Sequence, residues 1–190
     1  SDFPKGMRRL CEKADVLMPN LTELCFMLDM EYKSGPYTWD YIDSVLKAAE
    51  VFGLKKIVIT GVSFEAGKVG AVFKDYESCE KGQVMRDVIE GYYHGTGDVF
   101  GSALVGALES GICLKDSVRL AVDFTVKSII RTYESGADVR YGVDFELGLG
   151  EYVRYVDALK KGIGLHDVSS HLEISLASGL AAKIWSEGYK

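Results

Sequence analysis

Short apolar runs alternate with amphipathic stretches along most of the chain. DVLMP predicts a strand that ends at Pro19, and Asn20 then predicts the cap of a helix over LTELCFMLD. KKIVIT predicts the clearest strand, with β-favouring residues at 57–60 and a glycine directly after them. Apolar positions at helical spacing predict helices after Thr38 and from about Asp116 to Tyr133. This alternation is typical of a layered α/β domain around a largely parallel sheet.

The rest of the pattern predicts a hairpin, a helix of small residues and a change of character near the C-terminus. Residues 69–89 predict a hairpin or short meander with a charged turn. The helix after YYHGTGD is rich in glycine, alanine and serine and is predicted to end at Gly111. After Glu146, EYVRYVDALKK and SSHLEISLASGLAAKIWSEG each predict an amphipathic helix. We therefore divide the chain into residues 1–146 and a helical tail of unknown role at 147–190.

Apolar side chains share one face in two of these predicted helices. The helix after Thr38 presents Tyr41, Val45, Ala48, Ala49 and Phe52. The last segment repeats Leu172, Leu176, Leu180 and Ile184 at helical spacing. A face of this kind is predicted to pack against other elements.

The composition is that of a globular chain that can bury a core. Its 190 residues are 47% hydrophobic and 26% charged. No apolar run approaches the roughly 20 residues of a membrane-spanning helix, and SDFPKGMRRL lacks the apolar centre of a signal peptide. A formal charge of −6 argues against a surface that tracks nucleic-acid phosphates. We expect a cytoplasmic protein that binds neither membranes nor nucleic acid.

Cysteine and histidine form no disulfide or metal-binding pattern in the sequence. The four cysteines are scattered without a C-x-x-C pair, which favours reduced thiols. Only His166 and His171 are near each other, and we expect both to be surface or capping residues.

The stretch YYHGTGDVFGSALVGAL combines an anion-binding pattern with an acid. Gly95, Thr96 and Gly97 can turn backbone N–H groups toward a phosphate where a helix begins. Asp98 puts a negative charge at the same helix start. Capping alone explains an Asp in this place, because the cap and the helix dipole stabilise it by about 0.5–2 kcal/mol.

Phosphoryl transfer from a nucleotide to an alcohol gives the same stretch a second interpretation. Charge develops on the transferred phosphoryl oxygens, and the alcohol proton has to leave. Backbone N–H groups can face that charge while the neighbouring carboxylate accepts the proton. The pattern therefore supports either a cap or a catalytic base at Asp98.

Several motifs together resemble one known family. YHGTGDVFGSALVGAL resembles the Gly-Thr-Gly-Asp signature of the ribokinase superfamily, and ADVLMPNLTELCFML resembles its Pro-Asn-x-x-Glu segment. With KKIVITGVSF between them and VRLAVDFTVKSIIRT after them, their order is most similar to the pyridoxal/pyridoxamine kinase branch. The resemblance covers about residues 1–146. It implies a ribokinase-like layered α/β fold, with helices flanking a central, largely parallel sheet.

The resemblance also implies a reaction and its catalytic residues. Asp98 is implied to be the base that activates the primary alcohol of a B6 vitamer: pyridoxal, pyridoxamine or pyridoxine. Gly95, Thr96 and Gly97 are implied to form the anion hole for the phosphoryl group. ATP and magnesium are the implied cofactors, in a pathway that salvages pyridoxal 5'-phosphate.

Residues nearer the N-terminus are implied to contact the nucleotide. Asn20 is implied near its phosphates, and Glu23 near the magnesium through water. The same pair also forms a capping box, which needs no ligand, and both interpretations stay open. Thr60 and Gly61 are implied at the ATP phosphates, at the carboxyl end of the strongest predicted strand.

A last group of residues is implied at the adenine. Val99 and Phe100, with apolar residues of the helix from Val122 to Ile129, are implied to wall this part of the site. The alternative for each of them is a purely structural role on an apolar helix face that packs in the core.

Members of this branch carry roughly another hundred residues ahead of the part that this chain resembles, within the usual size of a domain. We therefore expect the C-terminal half of a kinase, with an exposed strand and apolar face. Such a chain is expected to form a homo-oligomer or to pair with a missing N-terminal half. In isolation it is expected to have little activity.

Two alternatives stay open. A hydroxymethylpyrimidine kinase of the thiamin route shares the anion hole and the base. An inactive half-domain that acts as a binding or oligomerising module would keep the loop without the reaction.

Overall fold

The computed structural model describes residues 6 and 11, residues 13–136 and residues 142–164. In chain order its elements are β1 (Val16–Leu17), α1 (Leu21–Met27), α2 (Trp39–Ala48), β2 (Lys56–Val62), β3 (Lys68–Asp75), β4 (Lys81–Asp87), α3 (Thr96–Glu109), α4 (Leu114–Ser135) and α5 (Leu149–Lys160). Short 3-10 helices follow α2 at Ala49–Phe52 and precede α5 at Glu146–Gly148.

The described strands form one sheet in the order β1-β2-β3-β4. β1 and β2 are parallel, whereas β2–β3 and β3–β4 are antiparallel. The layered α/β class is confirmed, and so is the hairpin predicted for residues 69–89. The described part of the sheet is mixed, because the short links after β2 and β3 allow a meander but no crossover to a parallel neighbour.

Helices cover both faces of the sheet, because successive strand residues point to opposite sides. Ile57 and Ile59 of β2 belong to one buried cluster, together with residues of α1 and α2. Val58, between them, belongs to a second cluster with residues of α3 and α4. The sheet is therefore the middle layer of three, as predicted.

The helix predicted from EYVRYVDALKK is confirmed as α5, and it packs on α3 and α4. Val156 is buried in a small cluster with Ala107, Ile112 and Leu120. The Tyr152 hydroxyl donates to the Ala103 carbonyl oxygen at 2.6 Å. The second predicted tail helix, which contains His171, lies outside the described residues, as does His166 before it. Within the described ranges, no helix is both long and apolar enough to cross a membrane.

Candidate active site

The carboxyl ends of β1 and β2 bring together the first group of predicted site residues. Asn20 pairs with Thr60 in a parallel bridge beyond the end of β1, and the Thr60 N–H donates to the Pro19 carbonyl oxygen at 3.0 Å. Gly61 follows Thr60 and is exposed, with a φ of +71°. Only glycine adopts this angle without strain, and the strand register shifts here. The backbone at this edge is therefore open to a ligand.

Asn20 and Glu23 make the capping box that the sequence predicts. The Asn20 Oδ1 accepts the Glu23 N–H at 2.8 Å, and the Glu23 Oε2 accepts the Asn20 N–H at 3.0 Å. Both residues are exposed. The box fixes the start of α1 directly beside Thr60, so a structural role for this pair is established.

The start of α3 holds the second group of predicted site residues. Gly95 is the N-cap, with a φ of 76°, and within the described residues its cap carries no side-chain hydrogen bond. The first intrahelical bond runs from the Val99 N–H to the Gly95 carbonyl oxygen at 3.0 Å. The N–H groups from Gly95 to Asp98 come before that bond, so they have no acceptor in the helix. They are positioned to bind an anion.

Asp98 lies in the first turn of α3 and is exposed. Gly95, and not Asp98, occupies the N-cap position. The capping interpretation therefore reduces to a favourable interaction with the helix dipole. The carboxylate stands in the same turn as the N–H groups, so a proton acceptor and anion-binding donors lie together at this helix start.

Gly97 has no evident structural reason to be glycine among the described residues. Its φ is outside the left-handed range, and a Cβ built on it would meet no atom within 4 Å. Gly95 differs, because its φ of +76° disfavours any side chain. Open space beside Gly97 suits the close approach of a ligand to the backbone.

Val99 and Phe100 are buried, with 9% and 6% of their surfaces exposed. Both belong to the cluster that holds α3 and α4 against the sheet, as do Val122 and Phe124. A core role for these residues is therefore established. This packing fixes the rotation of α3 about its axis and hence the direction in which its first turn points.

A contact between Gly101 and Met18 links the two groups of site residues. A Cβ built on Gly101 would lie 2.8 Å from the Met18 Cε. Met18 directly precedes Pro19 and Asn20, and Gly101 lies on the Asp98 side of α3, three residues on. The first turns of α3 therefore pack beside the carboxyl end of β1.

One segment at the site was not predicted from the sequence. A Cβ built on Gly95 would lie 3.9 Å from the Gly142 Cα, and one built on Gly142 would lie 3.9 Å from the His94 carbonyl oxygen. Gly142 lies between the helix predicted to end near Tyr133 and the one predicted from EYVRYVDALKK, in no predicted element. This glycine, which has a φ of 96°, was the available signal.

The residues present fit magnesium in only one way. No group of three or more His, Cys, Asp or Glu side chains at metal-binding distance occurs in the described part of the chain. Magnesium, however, is ordinarily held by one or two carboxylates with water and substrate phosphates. The exposed carboxylate of Glu23 suits a water-mediated contact of this kind.

The family was tested by comparison with known proteins. The family model described as phosphomethylpyrimidine kinase matches residues 3–142. The chain belongs to this family. The resemblance to ribokinase-superfamily kinases that the motifs predicted is thereby confirmed. No curated protein matched the chain.

Solved structures agree with membership of the phosphomethylpyrimidine kinase family. A candidate phosphomethylpyrimidine kinase from Bacteroides thetaiotaomicron, crystallised with pyridoxal, is 30% identical with a TM-score of 0.71, over 82% of this chain and 54% of its own. Pyridoxal kinase from Lactobacillus plantarum is 27% identical with a TM-score of 0.69, over 85% of this chain and 55% of its own.

Pyridoxal kinase from Bacillus subtilis, solved as an ADP complex, is 26% identical with a TM-score of 0.57, over 67% of this chain and 47% of its own. The chain thus spans about half the length of the solved structures that it matches.

Proposed function

We propose that this chain carries the phosphate-binding loop and the catalytic base of an ATP-dependent kinase for the primary alcohol of a B6 vitamer. One observation carries the proposal. In the first turn of α3, the exposed carboxylate of Asp98 stands beside N–H groups that precede the first intrahelical bond. The open space at Gly97 lets a phosphoryl group reach those N–H groups.

The chemistry divides between the N–H groups and the carboxylate. The alcohol oxygen forms a bond to the γ-phosphorus while the bond from that phosphorus to the ADP oxygen breaks. The alcohol proton passes to the Asp98 carboxylate. The N–H groups at Gly95, Thr96 and Gly97 stabilise the charge on the phosphoryl oxygens.

Thr60 and Gly61 supply a second contact to the nucleotide phosphates, at the open edge of the sheet. Asn20 lies beside Thr60 and adds a polar group to this edge. Magnesium, when bound, neutralises phosphate charge, and Glu23 would contact it through water. Val99 and Phe100 belong to the apolar wall beneath the nucleotide.

A B6 vitamer is favoured as the acceptor because two of the matched structures are pyridoxal kinases and a third was crystallised with pyridoxal. A hydroxymethylpyrimidine acceptor is the second candidate, because the family model that matches is that of phosphomethylpyrimidine kinase. Both acceptors offer a hydroxymethyl group to the same base.

Product analysis tests the proposal. The purified chain is incubated with ATP, magnesium and each alcohol in turn, and the phosphorylated product is measured by mass spectrometry while light scattering records the oligomeric state. We expect phosphorylation of at least one B6 vitamer at a low rate, because the chain spans only about half the length of the solved structures that it matches. Asp98→Asn should lower the rate by about 10²–10⁴-fold, since it removes the proton acceptor.

Asp116→Asn is the matched control. Asp116 also lies in the first turn of a helix, α4, so its substitution changes the dipole interaction without touching the loop. It should leave the rate within about twofold of the original. A folded chain that binds ADP and yields no phosphorylated alcohol would overturn the proposal and favour a binding module.

A further inference from the structure

A second segment, residues 142–145, lies near the His94–Gly95 turn that precedes α3. Gly142 lies close to it: a Cβ built on Gly142 would lie 3.9 Å from the His94 carbonyl oxygen, and one built on Gly95 would lie 3.9 Å from the Gly142 Cα. Both glycines have positive φ, 96° and 76°. The two backbones therefore approach each other closely, and a shift of one changes the space beside the other.

Two side chains of α4 hold both backbone polar groups of Asp144. Its N–H donates to the Thr132 Oγ1 at 2.7 Å, and its carbonyl oxygen accepts from the Arg131 Nε at 3.1 Å. Thr132 is only 1% exposed. A buried hydrogen bond is strengthened by its surroundings, and losing it leaves an N–H unpaired.

We call the two hydrogen bonds from Thr132 and Arg131 to Asp144 the clamp. Other groups of α4 orient both of these side chains. The Thr132 hydroxyl donates to the Ser128 carbonyl oxygen at 2.8 Å, so its oxygen is left to accept from Asp144. Arg131 is held in turn, because its Nη2 donates to the Ser128 Oγ at 3.0 Å. The Ser128 Oγ donates to the Phe124 carbonyl oxygen at 2.8 Å. Each of these two hydroxyls therefore donates to a carbonyl oxygen and accepts from an N–H group.

The residue between the clamp and Gly142 is also anchored. Val143 is 6% exposed and belongs to the same buried cluster as Val99 and Phe100. The last turns of α4, residues 142–145 and the first turn of α3 thus form one packed unit. Movement of Asp144 passes to Gly142, and from there to the turn at Gly95.

We propose that Thr132, assisted by Arg131, is a positioning residue for the phosphate-binding loop. By fixing Asp144 it holds Gly142 against the His94–Gly95 turn and so sets the direction of the N–H groups that follow. Its effect on phosphoryl transfer rests on the proposed function, whereas its effect on the loop does not. No described contact joins Thr132 itself to the loop.

The first test is hydrogen exchange at the Val99 amide, which makes the first intrahelical bond of α3. Thr132→Val keeps the shape of the side chain and removes its hydroxyl. Exchange at Val99 should become about tenfold faster, the effect of losing one buried hydrogen bond. Thr132→Ser keeps the hydroxyl and should return exchange to within about twofold of the original.

Ser117→Ala controls for the loss of a buried hydroxyl elsewhere in α4. Ser117 is fully buried and donates to the Ile112 carbonyl oxygen, at the other end of the helix. It should lower the melting temperature without changing exchange at Val99. A uniform rise in exchange across the chain in Thr132→Val, or no rescue by Thr132→Ser, would overturn the positioning role.

A second readout separates this inference from the proposed function. If the chain phosphorylates a vitamer, Thr132→Val should lower kcat by about tenfold and leave the vitamer KM within about twofold, because the N–H groups face the transferred phosphoryl group. An unchanged kcat in that case would overturn the link to catalysis. If the original chain shows no phosphorylation, the proposed function fails, and the exchange experiment alone decides the positioning role.

Discussion

The Glu23 Oε2 accepts the Asn20 N–H at 3.0 Å, and Asn20 returns a hydrogen bond to the Glu23 N–H at 2.8 Å. This reciprocal pair satisfies two donors at the start of α1. It also fixes the two side chains that the family resemblance implies near nucleotide phosphates and magnesium. One pair of residues therefore serves folding and is available for binding, and substitutions can separate the two roles.

Asn20→Ala should lower the free energy of unfolding by about 1 kcal/mol, because it removes the cap acceptor. Glu23→Gln keeps an oxygen that can accept the Asn20 N–H, so stability should change by less than about 0.5 kcal/mol. It removes the negative charge, however, and should weaken ADP binding only when magnesium is present. Urea unfolding and calorimetric ADP titration with and without magnesium measure both effects. An unchanged magnesium dependence in Glu23→Gln would limit Glu23 to the capping box.

The two glycines of the loop should respond differently to alanine. Gly97→Ala should raise the free energy of unfolding by about 0.5 kcal/mol, because alanine is the better helix former and its Cβ meets open space. The same Cβ should obstruct a phosphate and weaken ADP binding. Gly95→Ala should cost about 1 kcal/mol, because its φ is +76°. Thermal unfolding and ADP titration compare them, and tighter or equal ADP binding by Gly97→Ala would argue against an anion hole at this turn.

Local features of the fold could be predicted because their causes lie within a few residues. The cap at Asn20, the helix start after Thr38 and the turn between β3 and β4 depend on neighbouring residues, and the structure has them where predicted. The buried face of α2 was predicted only in part. Val45, Ala49 and Phe52 are buried, but Ile42 and Leu46 are buried as well. Tyr41 is only half-buried, at the edge of this face. The prediction was incomplete because more than one set of helically spaced apolar residues occurs in this segment.

Long-range features of the site could not be predicted in the same way. The contact of Gly142 with the Gly95 turn and the clamp of Thr132 on Asp144 depend on how distant segments pack. A threonine near a helix end and a glycine in a loop are common, so neither residue type carried a signal by itself. The position of Asp98 after the N-cap Gly95 also needed coordinates, because the sequence was compatible with Asp98 itself as the cap.

Gly101 and Met18 provide a test of the packing that joins the two parts of the site. A Cβ on Gly101 would come within 2.8 Å of the Met18 Cε, which is the flexible end of that side chain. That end can move aside at low cost, so Gly101→Val, which adds two methyl groups beyond the Cβ, should destabilise the chain by about 1 kcal/mol, the low end of overpacking. In a Met18→Ala background the same substitution should cost about half as much. Urea unfolding of the two single variants and the double variant measures this coupling, and additive effects would contradict the contact.

Lys127 and Glu151 join α4 to α5 and predict a pH dependence. The Lys127 Nζ lies 2.7 Å from the Glu151 Oε1, and each side chain is 28% exposed. Burial opposes the ionised form of Glu151, but the hydrogen bond and charge of Lys127 outweigh it. The pKa of Glu151 is therefore lowered from its ordinary value of 4.5. Tyr155, which donates to the same oxygen, and Arg131 also favour the ionised carboxylate.

A group with a lowered pKa stabilises the folded state fully above the unfolded pKa, and the contribution is lost as pH falls through the folded pKa. Glu151→Gln should therefore be less stable than the original chain at about pH 7, and this difference should shrink as the pH falls below about 4.5. Asp15→Asn is the control, because Asp15 pairs with Lys55 in an exposed position, where an ion pair contributes little. Urea unfolding across this pH range measures the differences. A deficit in Glu151→Gln that stays constant with pH would assign its effect to packing and not to the charge on Glu151.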